Sequence, residues 1–405
     1  MSLEEHAERY RILPSALSSK EAARVIELVD ASGLRGRGGA SFPTGRKLRS
    51  VAERGRRAVV VANGCEGEPV SAKDKVLLRR VPHLVLDGVA LASATVGADT
   101  AFMTIAEGAG RERMALDQAL AEREHRRVDR VTVNVVSVPD RFVAGEETAL
   151  VNFLNGGPAK PMFTPPRPFE RGVGRLPTLV QNVETLANLA LVGRYGPAWY
   201  RELGTEEQPG TALVTLDGAV RRRGVYEIPI GLPLAELIDL AGGVVTPIQA
   251  FLVGGYFGAW VTAEDALSLP LSDAGLAQVG VALGAGTIVA LPATTCGIVE
   301  TARIARYLAA ESAGQCGPCI HGLDALATAV ERLAAHPRRR NRDDGQQVIR
   351  WAAQIHGRGA CRHPDGAARL IESALAVFAD ELAQHAAGNC RGDERPLLRL
   401  PRAAR

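Results

Sequence analysis

Between residues 57 and 138 the chain alternates short β-branched runs with longer helical ones, and this alternation limits the fold more than any other feature. Arg57 to Ala62 reads as a short buried strand, Val81 to Val96 as a helix, Ala101 to Ile105 as a strand, Arg111 to Glu124 as a helix and Val131 to Val138 as a strand. Strands separated by helical crossovers pair in parallel, so the expected class is α/β with a mainly parallel sheet whose ligands lie off the carboxyl ends of the strands. Two acid-bearing loops, Asn63 to Pro69 and Phe142 to Glu147, fall at such ends.

Upstream, the stretch Gly33 to Leu48 places Gly33, Gly36, Gly38, Gly39 and Gly45 among three cations, Arg35, Arg37 and Lys47. Glycine lets the backbone turn through positive φ and approach a bulky group, and amide dipoles beside basic arms suit phosphate. Phe42 and Pro43 add a flat apolar surface, so the stretch reads as a cradle for a nucleotide's phosphates and ring. An Arg/Gly-rich linker or nucleic-acid tail is the competing reading. Against it, the run is short and follows a helix-like segment, Ser19 to Ala31. The stretch is not a Walker A motif, and it does not follow a strand as the dinucleotide-binding fingerprint does.

With 405 residues, 46% of them hydrophobic, the chain has material for two or three domains. A formal net charge of +3 gives no basic patch for nucleic acid, and the one dense basic run, Arg338 to Arg342, reads as a solvated loop after Pro337. No apolar segment reaches membrane-spanning length uninterrupted, and the first residues lack a signal peptide's apolar core, so a cytoplasmic protein without a direct membrane span is expected. Six cysteines are too few for a disulfide scaffold, and Cys316-x-x-Cys319 favours reduced thiols or a metal site.

The loop at Asn63 offers an amide and the carboxylates of Glu66 and Glu68, which can accept hydrogen bonds from ribose hydroxyls; an ordinary acidic surface turn is the alternative. At Gly145, Glu146 and Glu147 open a helix, where acids are favoured by the macrodipole in any case. Pro158 to Pro168 is irregular and precedes Phe169, and in Leu176 to Asn188 the side chains of Asn182 and Thr185 suit either a phosphate or a helix cap. From Thr211 to Val261 strand, Asp-Gly turn, strand and short helix succeed one another, with a later strand at Phe251 and no ionisable cluster, which suits a scaffold. Thr287 to Leu291 reads as a buried strand and Val299 to Glu311 as an amphipathic helix. Then come Cys316 and Cys319, with Cys361 following 42 positions beyond Cys319. A turn-borne C-x-x-C with a distant third cysteine is a reasonable iron–sulfur signature. A zinc site that adds His321, or simply buried thiols, uses the same residues.

In order along almost the whole chain, these motifs resemble the NADH-binding flavoprotein subunit of respiratory complex I and its relatives in NAD-linked hydrogenases and formate dehydrogenases. The likeness rests on the glycine stretch, on Asn63, Glu66 and Glu68, on Gly145 to Leu150, on Pro177 to Leu186 and on Cys316-Gly-Pro-Cys319. It implies a Rossmann-like FMN/NADH-binding α/β domain over 1–205, a β-grasp soluble-ligand-binding domain over 206–284 and a C-terminal helical iron–sulfur bundle over 285–405. Hydride would pass from NADH to FMN and single electrons to an iron–sulfur cluster, then to a partner iron–sulfur or ferredoxin-like protein of a larger complex. In that reading Gly36, Arg37, Gly38, Gly39 and Lys47 hold phosphates, and Phe42 and Phe169 pack on rings. Glu66 and Glu147 bind ribose, with Glu66 repelling the extra phosphate of NADPH, and Glu68 matches the family's acidic turn. Asn63, Gly145, Glu146, Asn182 and Thr185 contact flavin. The cluster falls to Cys316, Cys319 and Cys361.

Four positions depart from the family pattern: Cys65 for an acid, Val143 for a frequent Tyr, Gln181 for an Asn, and Ala313 for the first cluster cysteine. Three thiolates allow a [3Fe-4S] cluster or a [4Fe-4S] cluster whose fourth ligand is water, Glu311, His321, Cys296, Cys390 or Cys65. A nucleotide-binding paralogue without a cluster, or a flavin-only diaphorase, are the alternatives these departures leave open.

Overall fold

The computed structural model describes residues 1–10, 13, 17–55, 57–335, 344–390, 392, 396–398, 400 and 401, so the basic run at 338–342 lies outside the described residues. The chain divides into two compact units, one of residues 1–67, 72–213 and 227–230, the other of 68–71, 214–226 and 231–405.

The first unit is built on a four-stranded sheet of β1 (Ala58–Gly64), β2 (Ala98–Ala106), β3 (Thr132–Val138) and β4 (Thr178–Asn182), in the order β3-β2-β1-β4. Its pairs are parallel, and the register sets Asn63 of β1 opposite both Thr104 and Asn182. β1 is apolar on both faces because both faces are covered, as parallel sheets require. Val60 and Ala62 join one core while Val59 and Val61 join another on the opposite side.

On the first of these faces the helices Pro82–Val96 and Val183–Tyr200 pack together. Gly88 is what lets them touch, since a Cβ there would stand 2.0 Å from the carbonyl oxygen of Leu186. Pro82–Val96 is buried nearly all round, so its apolar residues form no single stripe. The expected α/β layer is present, with elements that local pattern did not disclose: helices Leu3–Tyr10, Thr44–Ala52 and Lys73–Arg80, and the strand β4. β4 is only Thr-Leu-Val-Gln-Asn, too short and too polar at its end for alternation to mark it.

In the other unit a mixed sheet has the order β6-β5-β9-β7-β8, from β5 (Thr211–Gly218), β6 (Gly224–Pro229), β7 (Ile248–Val253), β8 (Ala259–Thr262) and β9 (Thr287–Pro292). β9 is buried along its whole length because it runs between β5, to which it is parallel, and β7, to which it is antiparallel. Beyond it come the helices Gly297–Ala310, Leu323–Ala334, Asp344–Ile355, His363–Val377 and Ala379–Ala386, packed as a bundle. Among the described residues no helix is long and apolar enough to cross a membrane.

Candidate functional site

The glycine stretch leaves the helix Ser19–Ser32 through Gly33, a left-handed cap at φ 73°. It closes on itself: the Gly36 amide donates to the Phe42 carbonyl at 2.9 Å and the Thr44 amide to that of Leu34 at 2.9 Å. Arg35 and Pro43 form an antiparallel bridge at its neck, and the loop then opens the helix Thr44–Ala52. Its far end is fastened at the carboxyl end of the sheet, where the Arg37 amide donates to Thr185 Oγ1 at 2.8 Å. Gly38 lies against Asn182, and a Cβ there would stand 3.2 Å from the Asn182 Cβ.

Asn182 ends β4 and caps the helix Val183–Tyr200, its side chain accepting from the Glu184 amide at 2.9 Å. The loop therefore passes over a helix N-terminus at the strand ends, where unsatisfied amides and the helix dipole favour an anion. Thr44 Oγ1 and Gln181 Nε2, one at each side of this arrangement in the chain, are buried and without a protein partner. Orphaned donors beside a glycine cradle fit a polar, phosphate-bearing ligand.

Beneath the loop runs a buried chain of charges. The guanidinium of Arg37, 8% exposed, donates to Tyr200 Oη at 3.0 Å and stands 4.0 Å from Glu184. Glu184 accepts from the Leu213 amide at 2.8 Å and pairs with Lys73 at 2.9 Å. Lys73 also meets Asp74 at 2.8 Å, and Asp74 accepts from Asn182 Nδ2 at 2.7 Å. Burial opposes the Lys73 ammonium, but Asp74, Glu184 and Glu66 outweigh it and hold its pKa above the ordinary lysine value.

Arg37, expected to grip phosphate, thus turns its side chain inward, and only its backbone serves the loop. Lys73, Asp74, Glu184 and Tyr200 are not marked as site residues by the sequence. The one available signal was a glutamate in the first turn of an apolar helix, which the macrodipole favours in any protein.

The two acidic loops meet at the same strand ends. Asn63 Nδ2 donates to the Gly145 carbonyl at 2.8 Å while its Oδ1 accepts from the Cys65 amide at 3.1 Å. Gly145 must be glycine, because a Cβ would come within 2.9 Å of the Cys65 carbonyl oxygen. Burial pushes the Cys65 thiol up to about 12, so it stands as a neutral group. Glu66 accepts from the amides of Asp74 at 3.2 Å and Lys75 at 3.3 Å, which commits its buried carboxylate to the first turn of Lys73–Arg80. Glu146 caps the helix Glu147–Leu154, accepting from the amides of Thr148 at 2.9 Å and Ala149 at 3.0 Å. Burial nonetheless raises the Glu146 pKa above the usual carboxylate value.

Exposed chemistry remains at Glu147, which pairs with Lys47 at 3.1 Å, and at Phe42, 47% exposed with Arg46 over its ring. Two expected residues are not brought to this place. Phe169 lies at the opposite end of the sheet, next to Pro168, whose carbonyl accepts from the Thr178 amide at the start of β4, and its ring carries Arg54. Glu68 belongs to the other unit, where it accepts from the Tyr256 amide at 2.8 Å.

In that second unit the helix Gly297–Ala310 runs out into a turn through Gly314, at φ 65°, and a wide helical turn, Pro318–Gly322, carries Cys319 into Leu323–Ala334. Cys319 is buried, with Cys316 and Cys361 partly so. Burial, the Cys316 sulfur hydrogen-bonded to it and the Cys361 sulfur together push the Cys319 thiol up to about 12, which places all three sulfurs around one point. Ala313 is buried, 4% exposed, and offers no donor atom. Of the fourth-ligand candidates, His321 is exposed, Glu311 is buried where its charge acts on the His363 ring, and Cys65 belongs to the first unit. Three soft sulfur donors fit an iron–sulfur cluster, and the fourth place is not filled by a thiol.

Residues 29–191 match the family model of the Nuo51 FMN-binding domain, residues 213–250 that of the SLBB domain, and residues 300–385 that of the NADH-ubiquinone oxidoreductase-F iron-sulfur binding region. The second of two NADH-quinone oxidoreductase F subunits of Rhizobium meliloti (strain 1021) is 33% identical over 389 residues, which is 93% of this chain and 92% of that protein. The NADH-quinone oxidoreductase F subunit of Mycobacterium tuberculosis (strain ATCC 25618 / H37Rv) is 33% identical over 388 residues, 92% of this chain and 86% of that one. A chain in the crystal structure of an NAD+-reducing [NiFe]-hydrogenase in the air-oxidized state superimposes with a TM-score of 0.83 at 30% identity, covering 95% of this chain. This chain spans 65% of the length of that hydrogenase chain.

Proposed function

The chain belongs to the family of NADH-quinone oxidoreductase F subunits, and from that premise we propose how its own residues serve an NADH dehydrogenase with FMN-binding and iron–sulfur domains. The observation that carries the reading is the glycine loop fastened by Arg37 N to Thr185 over the helix N-terminus at Asn182. When bound, FMN accepts hydride from NADH and yields single electrons to the cluster, so the protein needs position and field rather than a nucleophile.

The amides of Gly38, Gly39 and Ala40, above the capped helix, receive phosphate. Phe42 offers an exposed face to a ring, and Lys47 with Glu147 forms the polar rim. Glu66 positions the helix at Lys73 and does not reach a ribose, since both its oxygens accept backbone amides. Ribose recognition, and repulsion of a 2′-phosphate, therefore rest on the accessible Glu147. Residues 1–205 serve the nucleotides, 206–284 act as scaffold and 285–405 hold the cluster, with β9 of that last region completing the scaffold's sheet.

Cys316, Cys319 and Cys361 hold a cluster by three thiolates, as [4Fe-4S] with one iron not bound by cysteine or as [3Fe-4S]. Relatives named as subunits of a quinone oxidoreductase support a place in a multi-subunit complex, with an iron–sulfur partner as acceptor and a cytoplasmic location. Ala313 favours one second reading, a flavin-only diaphorase. The test is anaerobic purification with iron and sulfide supplied, quantification of FMN and iron, and EPR before and after NADH. Flavin bleaching with a reduced-cluster signal supports the proposal; bleaching without iron establishes the diaphorase; a protein that takes up neither overturns both.

A further inference from the structure

A second group of soft ligands stands apart from the three cluster cysteines in the helical bundle. Cys296 occupies the position before the helix Gly297–Ala310, His385 lies in the last turn of Ala379–Ala386, and Cys390 follows that helix. Residues some ninety positions apart in the chain converge here: Cys296 Sγ stands 3.1 Å from His385 Nε2, and the donor atoms of Cys296, His385 and Cys390 all lie within 4.8 Å of one another. Among the described residues this is the one group of three such ligands that is so tightly drawn together.

The surroundings hold it in place. Glu381 accepts from the amides of Gly297 at 2.7 Å and Ile298 at 3.3 Å, and the same Oε2 lies 3.3 Å from Cys296 Sγ. Glu381 and His385, one turn apart, share a helix face. Past Cys390 the chain presses Gly392 onto Cys296, where a Cβ would come within 2.5 Å of the Cys296 Cβ.

We propose that Cys296, His385 and Cys390 form a zinc site, with Glu381 Oε1 as fourth donor, that ties the end of the bundle to the start of the helix leading to the cluster cysteines. Zinc takes sulfur at about 2.3 Å and imidazole nitrogen at about 2.0–2.1 Å in a tetrahedron, so its donors stand roughly 3.5–4 Å apart. The present separations bracket that spacing. Two thiolates with one imidazole and one carboxylate form a borderline-soft set that suits zinc better than magnesium or calcium. On binding, each thiol bond to Zn2+ replaces an S–H bond and two protons leave to solvent, with no change of oxidation state.

The experiment uses the full chain, loaded with Zn2+ alone and freed of excess, with zinc and iron quantified separately. One zinc per chain is expected. Cys296→Ser combined with Cys390→Ser weakens Zn2+ binding roughly 100-fold in competition with a chromophoric chelator and leaves iron and FMN contents unchanged. Cys316→Ser removes iron and keeps zinc. Wild-type chain that retains no zinc, or zinc that is lost with Cys316 and not with Cys296 and Cys390, overturns the site. Co2+ in the unmutated chain supplies a readout that needs no variant: tetrahedral d–d bands with thiolate charge transfer support the proposal, and weak octahedral bands refute it.

Discussion

The glycine loop and the Cys316 turn are both ligand sites, yet they are specified in opposite ways. The loop is shaped before any ligand arrives: its backbone closes on itself, Thr185 holds its tip, and a buried chain from Arg37 through Glu184, Lys73 and Asp74 to Asn182 lies beneath it. At the Cys316 turn three sulfurs face one another around a neutral buried thiol, and the neighbouring Ala313 contributes nothing. An organic anion needs several weak donors in register, so buried electrostatics fix the backbone that carries them. A metal cluster needs few donors, and metal–sulfur bonds themselves supply the order. The consequence is that damage to the first site should appear in folding, and damage to the second in metal alone.

The sharpest way to break that contrast is Lys73→Ala. It strands the carboxylates of Asp74 and Glu184 without their buried cation, a change expected to cost about 3–5 kcal/mol. Urea unfolding of the cofactor-free protein measures it, and a loss below about 1 kcal/mol would show that the loop does not rest on this network. Gly38→Ala acts closer to the ligand. The new methyl must displace Asn182, whose Cβ lies 3.2 Å from the place it would occupy, and overpacking of this kind costs about 1–3 kcal/mol. FMN should therefore bind roughly tenfold to a hundredfold more weakly by fluorescence titration. Cys316→Ser is the counterpart at the other site. Iron should be absent from the purified protein, whereas the stability of the metal-free chain in urea should move by no more than about 0.5 kcal/mol and FMN content should not change. A large destabilisation there would make the thiol turn a preformed site like the loop.

The same contrast explains what could be read from the sequence. Alternation of Val-rich strands with helices disclosed the parallel sheet, because burial on both faces writes itself into every residue of β1. The cysteines were legible because a metal site is its ligands. The loop's location was legible too, from glycines and cations at a strand–helix layer, but its side-chain roles were not. Glu66 and Arg37 are of the types that bind ribose and phosphate, yet they face inward to cap a helix and bridge Tyr200 to Glu184. Composition cannot separate a charged residue that meets a ligand from one that holds the backbone for it. Phe169 misled for a related reason: it follows the proline-rich segment in the chain, but the fold returns it to the amino end of β4, under Arg54.

Ser41 offers the finest test, because it separates shape from stability within the loop itself. Its φ of 49° lies in the left-handed region, which costs a residue with a Cβ about 1 kcal/mol relative to glycine. Ser41→Gly removes that cost and at the same time adds about 0.5–1 kcal/mol of backbone entropy to be lost on folding. The two effects oppose each other, so the stability of the cofactor-free protein should shift by less than about 0.5 kcal/mol. Binding has no such cancellation. The Ser41 carbonyl accepts from Arg35 at 3.3 Å, and a glycine there frees the loop between Arg35 and Phe42 to sample conformations in which its amides diverge. If the loop is preformed, FMN should bind a few-fold more weakly to Ser41→Gly at unchanged stability. Equal affinity would mean that the bonds at Gly36 and Arg37 fix the cradle by themselves, and that the strain at Ser41 serves nothing in the site.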